Sequence, residues 1–374
     1  MRALPNHYYT RRAEFLEERE QVFSPMWVCI GFASDAPNAG DVQPLEFMEL
    51  PLLMVRDSDN TLRVFHNVCR HRGHVLVSER GTVKQSLRCP YHSWTYTLEG
   101  KLARTPNIGG VGINDVEGFD RQKFGLVQVD SVEWNDLVFI NLSGNAPAFE
   151  DFIAPLEQRW KPFWGTEGAS LLRLADAHSS IRLEVQANWK LAVENYCESY
   201  HLPWVHPGLN SYSRLEDHYN IEEYGAYSGQ GTLVYRQLEG ANGAKFADFE
   251  GLDTKWDTAA EYLSVYPNVL LGMHRDHAFA IVLVPKGPEE TEENIHLYYA
   301  TPETDEELRA KNTEQWKVVF EEDIFVVEGM QRGRHGVNFD GGRFSPAMDG
   351  PTHCFHDWVA GKVNERRAMA NAAE

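Results

Sequence analysis

Four residues constrain this chain more than any others. They are Cys69 and His71 in Cys69-Arg70-His71, and Cys89 and His92 in Cys89-Pro90-Tyr91-His92, with 17 residues between the two halves. Soft thiolates and borderline imidazoles suit zinc or an iron–sulfur cluster. The segments 51–55, 61–68, 86–88 and 94–97 are short and rich in β-branched and aromatic residues. Turn signals such as Asp57-Ser58-Asp59-Asn60 and Glu99-Gly100 bound them. Each half of the pattern therefore falls in a loop between predicted strands. With further strands at 126–129 and 137–140, residues 40–145 read as a small antiparallel β domain.

Zinc knuckles more often pair two halves of one kind. A C-x-H half with a C-x-x-H half fits a Rieske [2Fe–2S] centre, in which one iron takes two thiolates and the other two imidazoles. Zinc stays as the alternative. Cys29, Cys197 and Cys354 lie outside both loops. An odd number of cysteines, with no apolar leader in the first residues, reads as a reducing, cytoplasmic setting rather than a disulfide framework. The 55 acidic against 35 basic residues give a net charge of −20, which disfavours nucleic acid and anionic membranes as partners. The longest apolar run, 278–284, is far shorter than the ~20 residues a spanning helix needs.

Gly144-Asn145-Ala146-Pro147 is the candidate boundary. Beyond it a strand is expected at 179–186, then a helix from Asn188 as N-cap to about Tyr200 that Pro203 ends or bends. Strands follow at 277–284 and 294–299, and 289–293 reads as an acidic, solvated turn. Thr304-Asp305-Glu306-Glu307 is a capping box opening a long helix to about Gly333. The last stretch, rich in Gly and Pro, is expected to wrap the surface. This half is α+β. On the first helix Leu191, Asn195, Glu198 and His201 share a face. His206 follows past Pro203, and that break lets both imidazoles turn to one metal. Two His and a carboxylate with open positions make the facial triad of oxygen-activating ferrous iron. On the long helix Asp323 interrupts the apolar stripe of Trp316, Phe320, Val327 and Met330, where a buried carboxylate needs a cation. Glu321 and Glu322 fall off the stripe and read as solvated face.

The two constellations together resemble the catalytic subunit of Rieske non-haem iron oxygenases. The family's Asn, acidic residue, Tyr-His and second His match Asn195, Glu198, Tyr200-His201 and His206. Its distant aspartate matches Asp323. The resemblance implies an α+β fold: an antiparallel β Rieske domain at 40–145 and a catalytic domain at 146–374, an antiparallel sheet covered by helices in the helix-grip manner. Residues 1–39 would pack on the catalytic domain. It implies a cluster on Cys69, His71, Cys89 and His92, and a mononuclear Fe(II) on His201, His206 and Asp323. Asn195 and Glu198 would serve catalysis, with Glu198 bridging His201 to His92 of a neighbouring chain across a homotrimer. Electrons from NAD(P)H would arrive through a separate reductase of flavin or ferredoxin type, since no G-x-G-x-x-G fingerprint is present.

Glu at position 198, where many aromatic-ring dioxygenases have Asp, resembles the branch acting on choline, carnitine and betaines. The implied reaction is O₂-dependent hydroxylation or oxidative N-demethylation of a quaternary ammonium compound. Tyr200, Trp204, Tyr212, Tyr266 and Phe279 are available for a cation–π cage. Ring hydroxylation of an aromatic is the alternative within oxygenases. An electron-transfer Rieske protein is the reading from another class, and it leaves His206 and Asp323 without a role.

Overall fold

The structure is a computed structural model that describes residues 3–164, 173–174, 179–241, 243–301 and 305–373, excepting the side chains of 164, 173, 174 and 365–373. The chain forms two compact units, one of residues Ile30–Asn145 and one of Met1–Cys29 with Ala146–Glu374. The N-terminal border therefore falls at 29/30 rather than the expected 39/40. The cause is the strand Val28–Phe32, which hydrogen-bonds to Leu137–Asn141 at the edge of the first unit's sheet.

The first unit has a seven-stranded sheet and a three-stranded one. In the larger, Leu50–Arg56 is flanked by Asp41–Phe47 and Leu62–His66, all antiparallel. The smaller is Ser86–Arg88, Thr95–Thr97 and Leu102–Arg104. Side chains of both share one apolar core, which contains Leu53, Val55, Phe65, Leu87, Tyr96 and both Cys69 and Cys89. The fold thus buries the two thiols and leaves the following loops outside.

The second unit is built on an eight-stranded sheet whose pairings are antiparallel. The long pair His277–Gly287 and Glu290–Tyr299 forms its backbone, and Ser180–Val185 pairs with the latter. Residues 289–293, expected as an acidic turn, are mostly strand: Glu292 and Glu293 are buried, and only 288–289 turn. Alternation along a pleated strand decides their burial here, and four carboxylates in five residues hide it.

Three helices cover the sheet. Trp189–Cys197 lies against the strands and between Glu306–Gly333 and Gly350–Ala373. Asn188 caps the first, its side chain accepting from Lys190 N at 3.1 Å. Asp305 caps the second through Leu308 N at 2.8 Å, while Thr304 lies outside the described residues. The third helix replaces the surface wrap expected for the C-terminus. Pro351 stands in its first turn, where a missing N–H costs nothing. Cys354, Phe355, Trp358, Val359 and Val363 form its buried stripe. Among the described residues no helix is long and apolar enough to cross a membrane.

Candidate metal centres

In the first unit two loops of similar build face each other. Cys69 N donates to His74 O at 2.9 Å, and Gly73 N donates to Cys69 O at 3.0 Å. In the second loop Cys89 N donates to Trp94 O at 2.8 Å and Ser93 N to Cys89 O at 3.0 Å. Each loop closes through a left-handed residue, Gly73 at φ 73° and Ser93 at φ 61°. The thiols are buried, with Tyr96 Oη 3.3 Å from Cys69 Sγ, and burial pushes the Cys69 thiol up. The imidazoles lie outward: His71 is exposed, its ring 4.6 Å from that of His92 and stacked on Trp94 at 4.8 Å. His92 Nδ1 is buried without a partner. Among the described residues, Cys69, His71, Cys89 and His92 do not gather within 4.8 Å around one point, whereas the second centre does. Donors spread in this way fit two irons better than one tetrahedral zinc.

In the second unit the helix ends sooner than the spacing predicts. Cys197 is its last residue and Glu198 is extended, at φ −124° and ψ 157°. Glu198 and His201 are therefore not neighbours on a helix face. A tight turn brings them together instead: the Glu198 carboxylate accepts from Tyr200 N and from His201 Nδ1, the latter at 2.6 Å. The short helix Leu202–Val205, with Pro203 in its first turn, has His201 before it and His206 after it. Both rings then face Asp323 on the long helix.

His201 Nε2 lies 3.8 Å and His206 Nε2 3.0 Å from Asp323 Oδ1, and the three donor atoms fall within 4.8 Å of one another. Glu198 Oε1 occupies Nδ1 of His201, and Glu322 Oε2 occupies Nδ1 of His206 at 2.7 Å. With the ring protons on Nδ1, both Nε2 atoms present lone pairs to a carboxylate oxygen that is buried and has no hydrogen-bond partner. Three acceptors facing one another suit a shared cation. Burial pulls the His206 pKa down, but the carboxylates of Asp323 and Glu322 outweigh it and the net shift is up. A site that so favours a proton favours a metal ion. Glu322, expected on the solvated face, is thus part of the centre. It precedes Asp323 by one residue, about 100° round the helix, and reaches the far side of His206.

A cavity with ≈ 480 Å³ of empty space, part of it open to solvent, lies beside this centre, lined by Asn195, His218, Gln230, Tyr262, Phe279 and Trp316 among others. No Lys or Arg lines it among the described residues. A second cavity that Asp323 also lines, with ≈ 360 Å³ of empty space partly open to solvent, is bordered by Asn195, Tyr196 and Glu293. Tyr196 Oη is buried there without a partner. Burial, and next to it the charge of Asp323, pushes Glu293 up to about 8. Of the expected cage aromatics, Phe279 alone lines the larger cavity. Tyr266 is fully buried, donating to Ser228 Oγ at 2.8 Å, and Trp204 and Tyr200 are 72% and 43% exposed. Tyr212 lies outside that lining. The walls come instead from Tyr262 on a strand and from Trp316 and Phe320 on the long helix.

Residues 172–365 match the family model described as ring hydroxylating alpha subunit (catalytic domain), and residues 26–117 match that of the Rieske [2Fe-2S] domain. The carnitine monooxygenase oxygenase subunit of Escherichia coli (strain K12) is 31% identical over 349 residues, covering 90% of this chain and 86% of that protein. The glycine betaine monooxygenase oxygenase subunit of Pseudomonas aeruginosa (strain UCBPP-PA14) is 33% identical over 210 residues, 55% of this chain and 45% of that one. Among solved structures, a quaternary ammonium Rieske monooxygenase studied for carnitine oxidation by gut microbiota and inter-subunit electron transfer superposes with a TM-score of 0.77. It is 26% identical and covers 97% of this chain and 95% of its own.

Proposed function

The chain belongs to the ring-hydroxylating alpha-subunit family, and from that membership we propose how its residues divide the work and what they act on. It is a Rieske-type oxygenase, with a [2Fe–2S] cluster and a mononuclear iron as its cofactors. We assign the cluster to Cys69, His71, Cys89 and His92, and the iron to His201, His206 and Asp323. The observation that carries the second assignment is the meeting of two Nε2 lone pairs and an unpartnered carboxylate oxygen, with both Nδ1 atoms already engaged.

The cluster supplies electrons one at a time, and the ferrous iron supplies open positions for O₂. The chain's own part is to hold these groups and shape what lies beside them. Glu198 and Glu322 fix the two imidazoles in the tautomer that ligates. Phe279, Phe320 and Trp316 keep water from the reacting carbon. One oxygen atom enters a C–H bond and the other leaves as water, using two electrons that a reductase draws from NAD(P)H and two protons, one from NAD(P)H and one from solvent. That reductase is a separate partner of flavin or ferredoxin type.

The substrate proposed is a small quaternary ammonium compound. Aromatic walls without a cationic side chain, next to a carboxylate, suit an onium group. The relatives named above, carnitine and glycine betaine monooxygenases, support the same class. Hydroxylation of an N-methyl carbon gives a carbinol that collapses to the amine and formaldehyde. We further propose a homotrimer in which Glu198, on the rim of the iron centre, meets His92 of a neighbouring copy. The half-buried His92, whose Nδ1 has no partner within the chain, and the inter-subunit electron transfer reported for the structural neighbour support it. Five free, buried cysteines support a cytoplasmic setting.

The test is a panel of N-methylated onium compounds and aromatic acids, with a surrogate reductase, scored as O₂ uptake matched to product. Coupled turnover on an onium compound is expected. Coupled turnover confined to the aromatic arm would overturn the substrate reading.

A further inference from the structure

Behind the wall of the larger cavity lies a group of buried polar residues that the oxygenation chemistry does not use. The strands Val269–Met273 and His277–Gly287 are joined by a tight hairpin, with His274 N donating to His277 O at 3.0 Å across Arg275 and Asp276. His274 and His277 therefore sit opposite each other, and their side chains stack face to face at 4.2 Å and 6°. Both are fully or almost fully buried.

Each imidazole holds one aromatic of the cavity wall. Trp316 Nε1 donates to His277 Nε2 at 2.8 Å, which places the His277 proton on Nδ1. That Nδ1 donates to Asp276 Oδ1 at 2.8 Å, and Tyr235 Oη donates to the same oxygen at 2.8 Å. The indole of Trp316 is thus tied edge-on to an anchored imidazole and lines the cavity, with Phe279 at 4.7 Å and Phe320 at 5.7 Å packed about its ring. Tyr262 Oη lies 3.1 Å from His274 Nε2. Burial, with His277 stacked on it, drives the His274 pKa well below the usual imidazole value, so the ring is neutral. Its Nδ1 is buried and has no partner. A proton on Nδ1 would be an orphaned donor, so the proton belongs on Nε2, donating to Tyr262 Oη. The phenolic proton of Tyr262 is then turned away from His274 and available to the cavity it lines.

We propose that the stacked His274–His277 pair is a positioning device for a two-point substrate site, in which the face of Trp316 takes the onium group and the hydroxyl of Tyr262 donates to an oxygen acceptor elsewhere on the same molecule. This inference rests on the onium reading of the cavity and deepens it by naming the residues that hold the two ends of the substrate and those that position them. His274 and His277 touch no substrate and act through the wall residues they hold. A donor fixed in this way selects strongly, because a ligand without the acceptor leaves it unpaired.

The experiment measures dissociation constants of the holoenzyme by titration calorimetry for three probes: tetramethylammonium, choline and glycine betaine. The first has the onium end without oxygen, the second adds a hydroxyl and the third a carboxylate. The readout is the ratio of each oxygenated probe to tetramethylammonium. The parent is expected to favour at least one oxygenated probe by about tenfold or more, the worth of one well-placed donor. Tyr262→Phe and His274→Leu should each collapse that ratio, and the double variant should lose no more than either. His274→Gln, whose amide N–H replaces Nε2–H, should restore it. His277→Leu should weaken the three probes alike.

A purely structural role for His274 would lower affinity for every probe without moving the ratio. If the probes bind and Tyr262→Phe keeps the parent's ratio, the inference is overturned while the onium reading stands. Tyr262→Phe keeps the ring and decides the matter even where His274→Leu does not fold. If none of the three probes binds, the onium reading fails and this inference falls with it.

Discussion

Asp323 Oδ1 and the Nε2 atoms of His201 and His206 converge with no proton assigned between them, and most of the account's chemistry rests on those three atoms. Replacing the carboxylate leaves two imidazoles, too few to hold ferrous iron. Asp323→Ala should lose the mononuclear iron and turnover and keep the cluster's visible spectrum, because the cluster's ligands come from the other unit. Loss of the cluster band in a folded Asp323→Ala would contradict the two-site reading. Glu322 makes a finer point. Its charged oxygen holds His206 Nδ1 at 2.7 Å, so Glu322→Gln keeps the shape and weakens the acceptor. Iron affinity should fall by roughly 10-fold to 100-fold, measured by competition with a chelator. Glu321, beside Lys317 at 3.7 Å on the exposed face, is the control and should show no change on Glu321→Gln. Asp323 was legible because a carboxylate interrupts an apolar stripe. Glu322 was not, because a 3.6-residue period assigns it to the next face and says nothing of how far its side chain reaches.

Elements were legible where a local signal fixes them. Asn188 and Asp305 cap their helices as their side chains suggest. The helix expected to reach about Tyr200 stops at Cys197, although the spacing Asn195, Glu198, His201 fits a helix face. The chain leaves the helix at Glu198, whose carboxylate takes Tyr200 N in place of a helical carbonyl partner. The last helix was hidden by the glycines before it, and the strand carrying Glu292 and Glu293 by its own charge. That strand yields a prediction. Burial raises Glu293 to about 8, so the folded state holds a proton that the unfolded chain releases near the ordinary carboxylate pKa. The group's contribution to stability is full below that ordinary value and is lost as pH rises through about 8. Over that window the parent should lose about 5 kcal/mol relative to Glu293→Gln. Denaturant melts at pH 5 and pH 8.5 check this: the difference should widen toward high pH. A difference independent of pH would mean that Glu293 is ionised throughout.

At the scale of the whole molecule, the cysteine–histidine pattern and the two-histidine motif specified both units without giving their borders. The strand Val28–Phe32 joined the first unit because its pairing partner lies more than a hundred residues away, at Leu137–Asn141. In the proposed assembly Glu198 links the iron centre of one copy to the cluster of the next. Glu198→Gln should leave both metal sites occupied and slow cluster reoxidation when pre-reduced protein meets substrate and O₂ in rapid mixing. Reoxidation and product yield equal to the parent's would reduce Glu198 to holding His201.

One chain should carry two different iron sites, and its metal content, read together with spectroscopy, decides whether it does. The parent should bind about three irons per chain, two in a cluster with the spectrum of mixed thiolate and imidazole ligation and one that chelators remove. In Asp323→Ala the count should fall to about two, with the cluster signal unchanged. Two irons in the parent, or zinc at Cys69, His71, Cys89 and His92, would contradict the account.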